Sequence, residues 1–197
     1  MISRLQQIED FLTGKPAKRI AVVAAHDDNV LCSLKEAFDR GFAQPILIGD
    51  KQRIFELADS IEFDLSKVSV IQEDDNERSA RIAIEMVHSG EAHALMKGIL
   101  PTADFMKAVL NKETGLKSNR LIIHTMVIEN ENYPKLLFVT DAAITIEPDL
   151  QQKADLIRNS VDVARSLGVE KPKVAVLAAI EVVNTSIKST LDAALLT

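Results

Sequence analysis

The chain has 197 residues, 47% of them hydrophobic and 26% charged, with a formal net charge of −6 and a mean hydropathy of +0.06. That length allows one large or two small domains around a real core, and the acidic balance argues against binding to nucleic acid or a membrane surface, which needs a concentrated basic face. A single cysteine, Cys32, excludes an internal disulfide. Aromatic residues at 4% with no tryptophan make base-stacking platforms scarce. With no charged-then-apolar leader and no long uncharged apolar run, the expected compartment is the cytoplasm.

In chain order, Ser3 to Leu12 places Leu5, Ile8, Phe11 and Leu12 at helical spacing, with Gly14 and Pro16 as the stop. Arg19 to Ala25 is a short apolar run of the kind buried on both sheet faces, and His26-Asp27-Asp28 follows at its C-terminal end. Asp27 or Asp28 caps a helix carrying Val30, Leu31, Leu34, Ala37 and Phe38 on one side and closed at Gly41. Pro45 to Gly49, Val68 to Ile71 and His93 to Met96 read as further strands, with helices opening at Asp50 and Asn76 between them. This alternation predicts an α/β fold with a mostly parallel sheet covered on both faces, a three-layer α/β/α arrangement.

The polar, turn-rich run Asn111 to Asn119 marks a boundary, giving a first domain over 1–112 and a second over 113–197. In the second, Leu121 to Glu129 and Leu136 to Thr140 predict two strands joined by a hairpin-sized gap at Asn130 to Pro134. Asp149 opens a long helix that Gly168 closes, Lys173 to Ala178 reads as another buried strand, and Thr190 to Thr197 reads as a helix.

Chemistry concentrates in Leu95 to Leu110, a strand end, a loop with Gly98 and a short amphipathic helix. Pro101 suits the first turn and Thr102 can cap. The free N–H groups of such a helix start form an anion site, here flanked by Lys97 and by Lys107, whose side chain leans back toward the loop. Lys97, Gly98, Thr102, Ala103 and Lys107 are therefore the candidate phosphate-binding residues. The same junction also occurs as plain structure, and Asp104 in the first turn offsets part of the helix dipole. No glycine-rich dinucleotide motif follows the first strand, and there is no P-loop. His26 and Asp28 are either two metal ligands lacking a third or a helix cap beside a solvated histidine; no metal site is expected. His124, in a run with Ile122, Ile123 and Met126, is a hydrogen-bonded core residue or a catalyst. Asp141, before the small Ala142 and Ala143, is a ligand contact or a turn residue. Cys32 has no local histidine to activate it and reads as structural.

At the Lys97 loop, and again at Phe138-Val-Thr-Asp-Ala-Ala-Ile144, the chain resembles the phosphate acetyl/butyryltransferase family, its butyryl branch most of all. The match continues through Glu147 to Ala154, Val174 to Asn184 and Thr190 to Leu196. The resemblance implies a two-domain fold similar to isocitrate and isopropylmalate dehydrogenases, here incomplete, with an active cleft between domains. It also implies interconversion of acyl-CoA plus phosphate and acyl phosphate plus coenzyme A, with butyryl or another short acyl group. Coenzyme A would be a substrate and no cofactor would be bound. The implied partners are acyl-CoA, orthophosphate, acyl phosphate and further copies of the chain, as a homodimer or higher oligomer.

Lys107 stands where the acetyl branch has arginine, which keeps the charge but not the two-pronged contact. His124 matches the histidine of the butyryl branch's Ser-His strand, with Ile123 in place of the serine, and Thr140, Asp141 and Asn184 match cleft-lining positions. The family's C-terminal third, with a late Ser-Arg motif and an aspartate taken to deprotonate the thiol, has no match here, so the catalytic groups are expected there. The alternatives are a truncated product, a chain completed by a second polypeptide, and a non-catalytic acyl-CoA or phosphate-binding protein. A decarboxylating dehydrogenase of the same fold type would need an acidic metal cluster and a nucleotide site, and the sequence offers no convincing set of either.

Overall fold

The computed structural model describes residues 2–116, 120–142 and 144–197. The chain forms two compact units, Leu12–Lys117 and a second drawn from Met1–Phe11 and Ser118–Thr197.

In the unit Leu12–Lys117, apolar strands alternate with capped helices: β1 (Lys18–Val23), α2 (Asp28–Asp39), β2 (Ala43–Gly49), α3 (Lys51–Ser60), β3 (Ser69–Gln72), α4 (Asn76–Ser89), β4 (Ala94–Lys97) and α5 (Thr102–Val109). The four strands are parallel in the order β3-β2-β1-β4. Successive side chains on a strand point to opposite faces, and both faces here are apolar. Val22 and Leu47 pack with Leu31, Leu34, Ile54 and Ala58 from α2 and α3. Ala21, Val23, Ile46 and Ile48 pack with Ala80 and Ala83 of α4, and Phe105 and Ala108 of α5 lie against that layer. This is a three-layer α/β/α sandwich.

Each of these helix starts up to α4 has an aspartate cap: Asp27 accepts from the Val30 amide at 3.0 Å, Asp50 from Arg53 at 3.1 Å and Asp75 from Arg78 at 2.8 Å. Such a cap contributes about 1 kcal/mol. The strand order steps outward from β1 to β3 and then returns to the other side of β1 for β4. The order therefore reverses at β1, beside β4, and ligands of open α/β sheets lie outside the strand ends at such a switch point.

The second unit holds α1 (Gln6–Leu12, of which all but Leu12 belongs here), the strands β5 (Thr125–Ile128) and β6 (Leu137–Thr140), and the helices α6 (Leu150–Ser166) and α7 (Lys188–Leu195). β5 and β6 are antiparallel, from Thr125 opposite Thr140 to Ile128 opposite Leu137, and β6 packs on α6. Asp149 and Gln152 form a reciprocal capping box at the start of α6. The segment before α1 is tied to the end of β5: Arg4 Nη1 donates to Glu129 Oε1 at 3.0 Å and the Leu5 amide to Oε2 at 2.8 Å. The Leu5 amide, with Arg4 beside it, holds the Glu129 carboxyl below the usual carboxylate range.

One element departs from the sequence reading. Lys173–Ala178 is not a strand, and Leu177 is 85% exposed. Its composition suits a sheet, but a strand exists only through a ladder, and among the described residues nothing lies alongside to complete one. No described helix is long and apolar enough to cross a membrane.

Candidate functional site

The loop after β4 is fixed by its backbone. Gly98 donates its amide to Val23 O at 2.7 Å and Ile99 to Ala24 O at 2.9 Å, which carries the β1–β4 pairing past the strand end. A Cβ on Gly98 would stand 2.1 Å from Ala24 O, so only glycine allows this approach. Lys97 turns back on the same loop: its half-buried Nζ donates to Gly98 O at 3.1 Å and to Leu100 O at 3.0 Å. The lysine closest to the strand end thus clamps the loop.

The clamped loop delivers Pro101, φ −57° and ψ 135°, to the cap of α5. Thr102, expected as the cap, is instead the first helical residue, and α5 has no side-chain cap bond. The reason is that proline cannot donate and its extended ψ places the helix start one residue later. Asp104 and Phe105 donate their amides to Pro101 O. The amides of Thr102 and Ala103 have no acceptor among the described residues, and the positive end of the helix dipole adds to them.

Lys107 lies farther along α5 and is exposed. It lines a recess of about 460 Å³ with Asp74, Asp75, Glu77, Arg81 and Asp104, a set that does not include Lys97, Gly98, Thr102 or Ala103. Carboxylates outnumber cations there.

His26 packs on Gly49 with its Nδ1 3.4 Å from the Asp50 amide. Asp27 is the α2 cap, Asp28 begins that helix, and Cys32 is exposed on it. No group of three or more metal-ligating side chains occurs among the described residues.

In the second unit, Thr140 Oγ1 donates to His124 O at 2.7 Å, joining the two strand ends, and His124 Nδ1 is buried with no hydrogen-bond partner among the described residues. Asp141 accepts from the Ile144 and Thr145 amides, each at 3.0 Å, so its carboxylate organises the turn after β6. Asn184 serves a separate network: its Oδ1 accepts from the Ser186 amide at 2.9 Å, and its amide donates to Thr190 Oγ1 at 2.9 Å. The structure thus joins His124 with Thr140 and leaves Asn184 at the entry to α7.

Sequence reasoning missed the buried polar groups, among them two that tie elements together. Ser79 Oγ lies under the end of β1, accepting from the Ala24 amide at 3.3 Å. Asp192 Oδ2 accepts from Lys153 Nζ at 2.6 Å and Lys188 Nζ at 2.5 Å. The hydrogen bond from Lys153, then that from Lys188, lowers the Asp192 carboxyl pKa. The Lys188–Asp192 spacing of four on a helix was visible in the sequence; Lys153 was not.

Comparison with known proteins matches residues 77–197 to the family described as Phosphate acetyl/butaryl transferase. The chain is 43% identical over 196 residues to a phosphate butyryltransferase of Clostridium beijerinckii and 40% identical over 196 residues to that of Clostridium acetobutylicum, taking in all of this chain and 63% and 65% of theirs. It is 35% identical over 192 residues to a phosphate acetyltransferase of Thermotoga maritima, 98% of this chain and 65% of that protein. The chain thus spans less than two thirds of the length of these relatives. Among solved structures, a branched-chain phosphotransacylase from Enterococcus faecalis V583 has the same fold, with a TM-score of 0.79 and 24% identity over 91% of this chain and 63% of that one. The EutD phosphotransacetylase from Staphylococcus aureus follows at a TM-score of 0.70 and 19% identity, over 98% of this chain and 67% of that one. With the family match extending over more than half its residues, the chain belongs to the phosphate acetyl/butaryl transferase family.

Proposed function

We propose that this chain serves reversible acyl transfer between coenzyme A and phosphate, acyl-CoA plus phosphate giving acyl phosphate plus coenzyme A, with butyryl or another short acyl group. The observation that carries this is the 43% and 40% identity, along the whole chain, to two proteins named phosphate butyryltransferase. In the direction of acyl-CoA synthesis, a thiolate attacks the acyl phosphate carbonyl and phosphate leaves as its charge grows. Donors fixed beforehand at the leaving oxygens stabilise that charge. Thr102 and Ala103 supply free amides and Lys107 an ammonium, while Gly98 and Lys97 hold the helix start that presents them. In this reading residues 1–112 carry the phosphate end, and His124, Thr140, Asp141 and Asn184 of 113–197 are further substrate-lining positions. Coenzyme A enters as a substrate rather than a bound cofactor, and the protein works in the cytoplasm as a homodimer or higher oligomer. None of these residues is assigned to deprotonate the thiol.

A second reading, a non-catalytic acyl-CoA or phosphate-binding protein, keeps the same free amides at the start of α5 without turnover. One pair of measurements separates the two. Release of free thiol from butyryl-CoA that depends on added phosphate supports acyl transfer. Calorimetric binding of coenzyme A with no phosphate-dependent release supports the binding protein, and the absence of both overturns both.

A further inference from the structure

Ser79 is the one buried polar side chain among the described residues of Leu12–Lys117, 1% exposed on α4. The α4 residues of the layer against the sheet, Ala80 and Ala83, are small and apolar. Another alanine would suit that layer and the helix better, and a buried hydroxyl costs free energy unless it is bonded. The bond Ser79 Oγ makes is to the Ala24 amide, from which it accepts at 3.3 Å.

Ala24 is the first residue past β1 and has a φ of +52°. That left-handed conformation disfavours a residue with a Cβ by about tenfold, and it persists only where the surroundings over-determine it. Ala24 is held on both sides: its amide by Ser79 Oγ, and its carbonyl by the Ile99 amide at 2.9 Å. Ile99 follows Gly98, whose amide donates to Val23 O, and the loop then runs through Leu100 and Pro101 to the free amides of Thr102 and Ala103. Release of Ala24 into the extended region would reorient the peptide between Ala24 and Ala25, and with it the acceptor of Ile99.

We propose that Ser79 is a positioning residue for the phosphate end of the site. Its hydroxyl keeps Ala24 left-handed, and through Ile99 this sets where the amides of Thr102 and Ala103 stand. This role rests on the acyl-transfer reading, which puts phosphate at the start of α5, and adds a residue which that reading does not use. Ser79 itself touches no substrate. It acts on the population of the pinned loop, and apparent affinity falls in proportion to the fraction that is pinned.

The test titrates inorganic phosphate into the chain and its variants by calorimetry, and follows exchange of the Ile99 amide in the absence of phosphate. Ser79→Ala should weaken phosphate binding by about tenfold and speed Ile99 exchange by a similar factor. Ser79→Cys fills nearly the same space with a poor acceptor, so it should act like Ser79→Ala and separate the hydrogen bond from packing. Ala24→Gly added to either variant should return affinity to within about twofold of wild type, because glycine takes positive φ without strain. A serine that only stabilises the fold gives no such rescue. Phosphate binding by both Ser79 variants as tight as that of wild type overturns the proposal, as does weakened binding that Ala24→Gly leaves uncorrected. So does Ile99 exchange that neither Ser79 variant alters. Wild type that binds no phosphate overturns the placement of the site and the role of Ser79 with it, so the wild-type titration tells the two failures apart.

Discussion

Two lysines on either side of the start of α5 differ in what holds their ammonium groups. Lys97 spends its ammonium on Gly98 O and Leu100 O, whereas Lys107 is exposed. Lys97→Met should therefore lower stability by about 1–3 kcal/mol, the range for hydrogen bonds to a charged group discounted for half burial. Lys107→Met should stay within about 0.5 kcal/mol of wild type in urea unfolding. It should instead raise the Michaelis constant for phosphate about tenfold or more in the phosphate-dependent reaction. Stability loss at Lys107 with an unchanged constant would exchange the two roles. Gly98 belongs with Lys97 on the structural side. Gly98→Ala would bring a methyl to 2.1 Å from Ala24 O and 2.6 Å from Val23 O, both backbone atoms of the sheet region that cannot swing aside. Overpacking of that kind costs about 1–3 kcal/mol or more. Gly14→Ala is the control, because its φ of +78° is unfavourable but nothing lies within 4 Å, and it should cost only about 1 kcal/mol. Equal losses in urea unfolding would show that the Gly98 contact does not set the loop.

At the level of elements, Asp192 joins α6 to α7 through Lys153 and Lys188. Its carboxyl pKa is lowered from the model-compound value of 3.8, chiefly by the Lys153 hydrogen bond. A depressed folded pKa contributes stability that is fully present above the unfolded pKa and is lost as pH falls through the folded one. Wild type should therefore lose stability in the second unit as pH drops from about 5 to below 4, and Asp192→Asn should flatten that part of the curve. Urea midpoints across this range, read with a probe in that unit, check it; an unaltered slope would remove Asp192 from the acid response. The same pair shows what a sequence can and cannot convey. The alternation of strands and capped helices through α4 was legible because aspartate caps and apolar periodicity are local signals. The β4–α5 junction was locatable for the same reason. The direction of the Lys97 ammonium was not, since it depends on carbonyls that only the folded loop places. Pro101 displaced Thr102 as the α5 cap because that loop is held against β1, a contact distant in sequence. Lys173–Ala178 misled because its composition reports a liking for sheets, while strand formation also needs a partner.

Across the molecule, burial is unevenly divided. The largest fully buried side chains, Leu31, Leu47, Ile48, Ile54, Val22, Val23, Pro45 and Ser79, all belong to Leu12–Lys117. The second unit has a two-stranded sheet, few buried residues and an apolar stretch left in water. Because buried apolar area is the main source of folding free energy, at about 25 cal/mol per Å², the second unit should be the weaker. The chain itself provides a selective probe: it has one tyrosine and no tryptophan, and Tyr133 lies in the β5–β6 connection. Tyrosine emission anisotropy in urea should therefore report the second unit alone, while far-ultraviolet circular dichroism follows helices of both. The tyrosine transition should come first, by about 1 M urea or more, with a smaller slope because less surface is exposed in that step. Coincident transitions would show that both units unfold as one cooperative body.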